Sequence, residues 1–321
     1  MNTVQEHQLL EKHFKSFFQS RGYNYLESVP VTSGLDPSVY LINSATNLFK
    51  PFLGRKYVRV FAIQPSMRTQ ILKNYYCREV ETEYPTCFDS YGVYVSMEYV
   101  SKLVLDSIEL FLTLGFCPKQ MRVRTSGKDE ILLGPVHDSV LRHRIELDTR
   151  TEKYDHAYGC SLTGRAIKID CYQEWQKKYK NLCYIILIFK GGMPQGAELA
   201  TSDQLILMRA FNHQYGVSVS RIADLLSMDT FEQRRFADSV AGASRMLYEG
   251  LRPNSSNTNG RTLKKYLKAV LWFGNKLDFS VEKCVNIVCE YIRLEYNIQV
   301  NSAEIDGYFM RLEGVEKNEE Q

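Results

Sequence analysis

Apolar residues recur at Leu10, Phe14, Phe17 and Phe18, a helical spacing that Gly22 ends. Pro30 and Gly34-Leu35-Asp36-Pro37 read as turns. Residues 56–63 are rich in Tyr, Val, Phe and Ile and predict a strand. A polar stretch follows, then a second apolar patch at 88–95. Met97, Val100, Val104, Ile108 and Phe111 keep to one face of a long helix that Gly115 closes. Residues 121–124, 166–171 and 182–189 predict further strands. The last is apolar throughout, as a central strand covered on both faces should be, and Gly191-Gly192 turns the chain. Beyond about residue 201 only helices are predicted. One carries Phe236, Val240, Ala243, Leu247 and Leu251, the next Leu263, Leu267, Val270 and Leu271, and the third Val281, Val285, Val288 and Ile292. The loop at 252–260 has an exposed composition, and the tail 316–321 is expected to fray. Strands mixed with helices first, then helices alone, predict an α+β domain over 1–212 and a smaller all-helical domain over 213–321.

Composition narrows the class. Hydrophobic residues make up 44% and charged residues 24% of 321, as in ordinary soluble domains. No apolar run approaches the roughly 18–20 residues of a membrane span, and Met1 to His7 has no basic start leading to an apolar stretch. The eight cysteines (77, 87, 117, 160, 171, 183, 284 and 289) contain no Cys-x-x-Cys pair. Scattered thiols inside apolar runs suit a cytoplasmic protein better than a disulfide framework or a zinc site. The net charge of +3 gives no global argument for a nucleic acid partner. A local one exists at Arg261, Lys264, Lys265 and Lys268, although such a face is also what a solvated helix presents. There is no glycine-rich dinucleotide fingerprint, no Walker lysine, no Gly-x-Ser-x-Gly elbow and no His-x-x-x-His pair.

Longer matches carry more. Phe17-Phe18-Gln19-Ser20-Arg21-Gly22-Tyr23, Asp36-Pro37-Ser38, Ile42-Asn43-Ser44-Ala45-Thr46-Asn47-Leu48-Phe49-Lys50 and Phe52-Leu53-Gly54 follow in order the motif 1 region of the alanyl-tRNA synthetase family, whose catalytic part the chain resembles. Arg55-Lys56-Tyr57-Val58-Arg59-Val60-Phe61-Ala62-Ile63-Gln64-Pro65-Ser66-Met67-Arg68 aligns without gaps on that family's Arg-x-Tyr-x-Arg-Ala-Thr-Thr-Ser-Gln-x-Cys-x-Arg. Thr86-Cys87-Phe88-Asp89-Ser90-Tyr91-Gly92 looks like its returning strand. Ala237-Asp238-Ser239-Val240-Ala241, Glu249-Gly250-Leu251-Arg252-Pro253-Asn254 and Asn259-Gly260-Arg261-Thr262-Leu263-Lys264-Lys265 resemble the start of its tRNA-recognition domain. Gly159-Cys160-Ser161-Leu162-Thr163-Gly164 is loosely similar to its Gly-Pro-Cys-Gly-Pro-Cys segment.

The resemblance implies a class II synthetase-like antiparallel sheet flanked by helices, and ATP with Mg²⁺ as cofactors. Arg68 would hold the ATP α-phosphate, with Lys73 nearby. Phe88 would lie against adenine, although an aromatic in an apolar run is also an ordinary core residue. Arg209 would meet the γ-phosphate. The amino-acid pocket would involve Asn43, Cys183, Ser202 and Glu198, with Asp203 as an alternative amine receptor. Asp89 and Asp170 are the candidate Mg²⁺ ligands. Arginine suits phosphate because its planar fork stays charged.

Departures from the family bear on function. After Arg68 the family's Ala-Gly-Gly-Lys becomes Thr69-Gln70-Ile71-Leu72-Lys73. Its Asp-Thr-Gly-Met-Gly-Leu-Glu-Arg becomes Ser202-Asp203-Gln204-Leu205-Ile206-Leu207-Met208-Arg209. The family's editing and C-terminal regions have no counterpart here. Three readings follow. One is an enzyme forming an aminoacyl-adenylate, its acceptor tRNA, a carrier protein, a small amine or a protein side chain. Another is a non-activating paralogue that binds an amino acid, nucleotide or tRNA. The third uses charged tRNA as donor. Class II architecture adds the expectation of a homodimer.

Overall fold

The computed structural model describes residues 3–159 and 161–319. Cys160, within the loosely matched segment, lies outside the described residues, as do Glu320 and Gln321 of the tail.

The periodicities resolve into one sheet and two helical layers. The helices are α1 Thr3–Ser20, α2 Thr46–Phe49, α3 Val100–Thr113, α4 Glu130–His137, α5 Asp203–Ala210, α6 Phe231–Tyr248, α7 Thr258–Lys276, α8 Val281–Tyr296 and α9 Ser302–Glu319. The strands are β1 Asn24–Tyr25, β2 Arg59–Met67, β3 Cys87–Val95, β4 Met121–Thr125, β5 Ile145–Leu147, β6 Asp155–Gly159, β7 Leu162–Gln173, β8 Lys178–Lys190 and β9 Met193–Ser202. They form one sheet in the order β1-β2-β3-β9-β8-β7-β4-β5, with β6 paired to β7. Pairing is antiparallel except at β1·β2 and β4·β5. The α+β reading holds, and β8 is the interior strand its apolar run predicts.

Successive side chains of a strand go to opposite faces. Phe61, Ile63, Tyr91, Val93, Ile167, Ile185 and Leu199 turn to one face, where α1 and α3 cover them. Val60, Ala62, Tyr94 and Ile188 turn to the other, where the segment around α2 covers one end. Gly92 makes that cover fit: a Cβ there would lie 2.5 Å from Ala45 Cβ and 2.9 Å from the Phe49 ring. The far face is closed by helices, and the near face is capped only in part.

The three predicted stripes become α6, α7 and α8. Thr230 opens α6 with a capping box to Gln233. Ile305, Tyr308, Phe309 and Leu312 anchor α9 on the helical core, and the helix extends to Glu319. This second core also takes in Val31, Leu41, Met67 and Tyr75 from the first part of the chain. Asp238 of α6 reaches back further, accepting hydrogen bonds from Tyr75 Oη (2.7 Å), the Thr86 backbone N–H (2.7 Å) and Thr86 Oγ1 (2.8 Å).

Candidate functional site

β2 and β3 position the residues matched to ATP binding. The chain leaves β2 at Arg68 with extended backbone, runs through 3-10 turns at Thr69–Asn74, and returns on β3 with Phe88 opposite Ser66. Arg68 therefore lands over Phe88. Its guanidinium carbon is 4.6 Å from that ring's centroid and 5.6 Å from that of Tyr84. Arg68 is exposed to solvent. Even so, desolvation in the ring-lined recess draws its pKa below the ordinary arginine value, against the opposing pull of Tyr84 and Tyr184. Lys73 is exposed in the same turn.

Arg209 has a different fate. It is 3% exposed on α5. Nη2 donates to Glu83 at 2.8 Å and Nε to the Asn181 carbonyl at 3.1 Å, while Nη1 is buried without a partner. Burial raises the Glu83 pKa, but Lys180 and Arg209 outweigh it and hold the carboxyl low. The sequence match places Arg209 at a γ-phosphate, whereas in the fold a carboxylate already answers its charge.

Asn43, Ser44, Thr46, Gln70 and Tyr158 help line a cavity of about 340 Å³. Its wall is tied together. Asn47 Oδ1 accepts from the Asn43 and Ser44 N–H groups, and Asn47 Nδ2 donates to Asp36 at 2.5 Å. Lys50 reaches Asp36 at 2.6 Å. Burial alone would raise the Asp36 pKa, but Lys50, Ser38 and Asn47 bring it down to about 2. Glu198 lies beneath this wall. Thr46 Oγ1 donates to its Oε1 at 2.7 Å, while Oε2 is buried with no partner. Burial pushes the Glu198 pKa up to about 8, Thr46 opposing.

Several candidates lie elsewhere. Cys183 belongs to the helix-covered core, so it does not line the pocket; on β8 it is Tyr184 that turns to the near face. The Ser202 hydroxyl accepts the Leu205 N–H at 3.2 Å and caps α5, so its oxygen already serves the helix. Asp203 is on the far face, 2.9 Å from His7, and accepts the Asp89 N–H at 3.0 Å. Asp89 follows Phe88 and so also faces away. Its pKa is raised to about 6 by burial and by Asp203. Asp170 meets Arg122 and Arg124 at 3.3 and 3.0 Å. It stands three strands from Asp89, on the opposite face. The two candidate Mg²⁺ ligands cannot share an ion, and no group of three or more His, Cys, Asp or Glu side chains converges on a metal position among the described residues. These residues do not fit a resident Mg²⁺.

The fold gathers residues that the motif matches passed over. His156 and Tyr158 of β6 lie over Gly164, which has no Cβ to clash with the Tyr158 ring. His156 stands edge-on to Tyr184, centroids 5.4 Å apart. Burial, then Lys168, lowers its pKa. The alternation Tyr154-Asp155-His156-Ala157-Tyr158 was the available signal, a short strand with rings on one side. Arg261, Lys264, Lys265 and Lys268 lie on α7, which contains no Asp or Glu. Exposed Trp272 and Lys276 continue their stripe. No helix among the described residues is long and apolar enough to cross a membrane.

No protein-family model matches the chain, and no curated protein matches it. Among solved structures it is similar to the RNA-binding domain of threonyl-tRNA synthetase from Cryptosporidium parvum Iowa II, at 12% identity and TM-score 0.43, covering 65% of this chain and 64% of that one. It thus spans less than two thirds of that protein. It is similar also to apo histidyl-tRNA synthetase from S. aureus, at 11% identity and TM-score 0.43 over 83% and 85% of the two chains. A third is the putative threonyl-tRNA synthetase ThrRS-1 from Aeropyrum pernix, at 11% identity and TM-score 0.42 over 78% and 71%.

Proposed function

We propose that this protein activates an amino acid with ATP, as an alanyl-tRNA synthetase-like ligase, and passes the acyl group to an acceptor such as tRNA or a carrier protein. The observation that supports it is the placement of Arg68. It is an exposed arginine at the end of a sheet strand, beside the Phe88 and Tyr84 rings, two residues before Gln70 of the polar cavity. Activation joins two anions, so the protein's task is to align a carboxylate with the α-phosphorus and to absorb phosphate charge. Arg68 suits that task and Lys73 can assist. Any Mg²⁺ would accompany the nucleotide, held chiefly by phosphate oxygens and water. Glu198 would take the amino group through Oε2, which has no partner.

Amino-acid-dependent ATP–pyrophosphate exchange tests this, with Arg68→Ala as control. Exchange with one amino acid that is lost in the variant supports activation. An absence of exchange with every amino acid counts against it. A second reading, a non-activating paralogue that binds an amino acid, nucleotide or tRNA, draws on Arg209, whose charge Glu83 already takes up. ATP binding without exchange would favour it. RNA contact along the acid-free α7 predicts binding that weakens steeply with salt, by a log–log slope of about −0.7 to −0.9 per phosphate neutralised. Homodimerisation in a cytoplasmic setting completes the proposal.

A further inference from the structure

Lys168 is on β7, directly across from Arg124 of β4 on one side and Tyr184 of β8 on the other. Its chain neighbours Ile167 and Ile169 enter the helix-covered core. Alternation therefore turns Lys168 to the near face, with Arg124 and Tyr184. A lysine opposite an arginine on one face of a ladder is an unfavourable pair, and this lysine is only 8% exposed.

The surrounding carboxylates do not correct the imbalance. Asp170 is taken up by Arg122 and Arg124. Glu146 pairs with Arg122. Asp148 accepts from Arg150 and from Tyr154 Oη. Three cations, Arg122, Arg124 and Lys168, thus face two anions, Asp170 and Glu146. Among the described residues the Lys168 ammonium forms no ion pair; it lies 4.7 Å from the Tyr154 centroid and 5.1 Å from that of Tyr184, with Asp170 and Asp148 acting on it at longer range. Beside it is His156, whose buried Nε2 also has no hydrogen-bond partner. The Tyr184 hydroxyl is within electrostatic reach of both Arg68 and Arg124. A fold that leaves one ammonium and one imidazole nitrogen unanswered at one place, with a surplus positive charge, is set up for an anion from outside.

We propose that Lys168 and His156, with Arg124 behind them, form a subsite for an anionic oxygen group of the molecule this protein acts on, a carboxylate or a phosphate distinct from any phosphate at Arg68. In the activation reading this makes the substrate an acidic amino acid or a phosphate-bearing one, not alanine. The subsite depends on that reading only for what lies at Arg68, because it requires an anion whether or not ATP is turned over.

Calorimetric titration of the full chain tests it, with L-glutamate, L-aspartate, succinate and inorganic phosphate set against the neutral isosteres L-glutamine and L-asparagine. At least one anion should bind, with its neutral isostere at least tenfold weaker, and Lys168→Met should lose tenfold or more while Lys168→Arg keeps part of the affinity. Because Lys168 forms no ion pair among the described residues and faces Arg124, Lys168→Met should melt close to the parent, which separates a lost site from a lost fold. Binding by dicarboxylates but not phosphate identifies a carboxylate source, and the reverse identifies a phosphate source. The subsite is overturned if no anion binds the parent protein, if neutral isosteres bind equally well, or if Lys168→Met binds unchanged. Should the variant not fold, the parent titrations alone decide. Failure of pyrophosphate exchange would overturn activation and leave this result standing.

Discussion

Adjacent residues of the sheet meet opposite conditions. Phe88 and Ser202 turn to the near face, Asp89 and Asp203 to the far one. On the far face several charges find partners. His7 pairs with Asp203 at 2.9 Å and Arg221 with Glu295 at 2.5 Å, and Arg245 lies 4.8 Å from the Tyr296 ring, its pKa raised by Tyr296 and Asp89 although burial opposes. On the near face Lys168 has rings but no ion pair among the described residues, and His156 Nε2, Tyr158 Oη and Glu198 Oε2 are buried without partners. Polar groups satisfied from within hold the two halves together. Those left unsatisfied on a sheet of the same make are the ones available to a ligand.

The comparison can be broken most forcefully from the far side. Glu295→Ala leaves Arg221 charged and half-buried without its carboxylate, and should cost about 3 kcal/mol in urea denaturation. Arg68→Ala, on the near side, should stay within about 0.5 kcal/mol while removing activity. Equal losses in both would erase the distinction between the faces.

Glu198 sharpens it next. Its folded pKa of about 8 is above the ordinary glutamate value, so the folded state holds a proton that the unfolded state releases. Stability from this group is full at low pH and falls as pH rises from about 4.5 to 8, by a few kcal/mol. Glu198→Gln should flatten that fall in melts taken across the same range. Gly92→Ala probes where α2 seals the near face. Its new Cβ would crowd Ala45 and Phe49, at a cost of about 1–3 kcal/mol by the same denaturation. The smallest effect belongs to His7. Burial lowers its pKa, but the Asp203 carboxylate wins and raises it overall. Its contribution is complete below about pH 6.5 and fades as pH climbs through the raised value. His7→Gln should therefore lower the melting temperature more at pH 5.5 than at pH 8.5, by the equivalent of about 1 kcal/mol.

The sequence made the repetitive elements legible and the facing of side chains illegible. The α6, α7 and α8 stripes and the β2, β3 and β8 runs stand where periodicity puts them. β9 escaped notice because Pro194, Gly196 and Ala197 spoil its pattern. It is a strand because a Cβ at Gly196 would sit 2.2 Å from the Val95 carbonyl, so only glycine lets the two strands close. Arg68 and Phe88 were readable because they are neighbours in a linear match. Cys183 was misplaced because a strand apolar on both sides carries no sign of which side is which. Lys168 could not be read at all, since its meaning depends on Arg124, 44 positions away and joined to it only by strand register.

The reach of Asp238 has a further consequence. Cut the chain near residue 212, where composition changes, and the first piece loses the acceptor for three buried donors and part of a shared apolar core. The compositional seam is therefore not a thermodynamic one. Heating should give a single calorimetric transition, and whatever tightens on the loop between β2 and β3 should register as strain or relief in the helices that hold Tyr75 and Thr86.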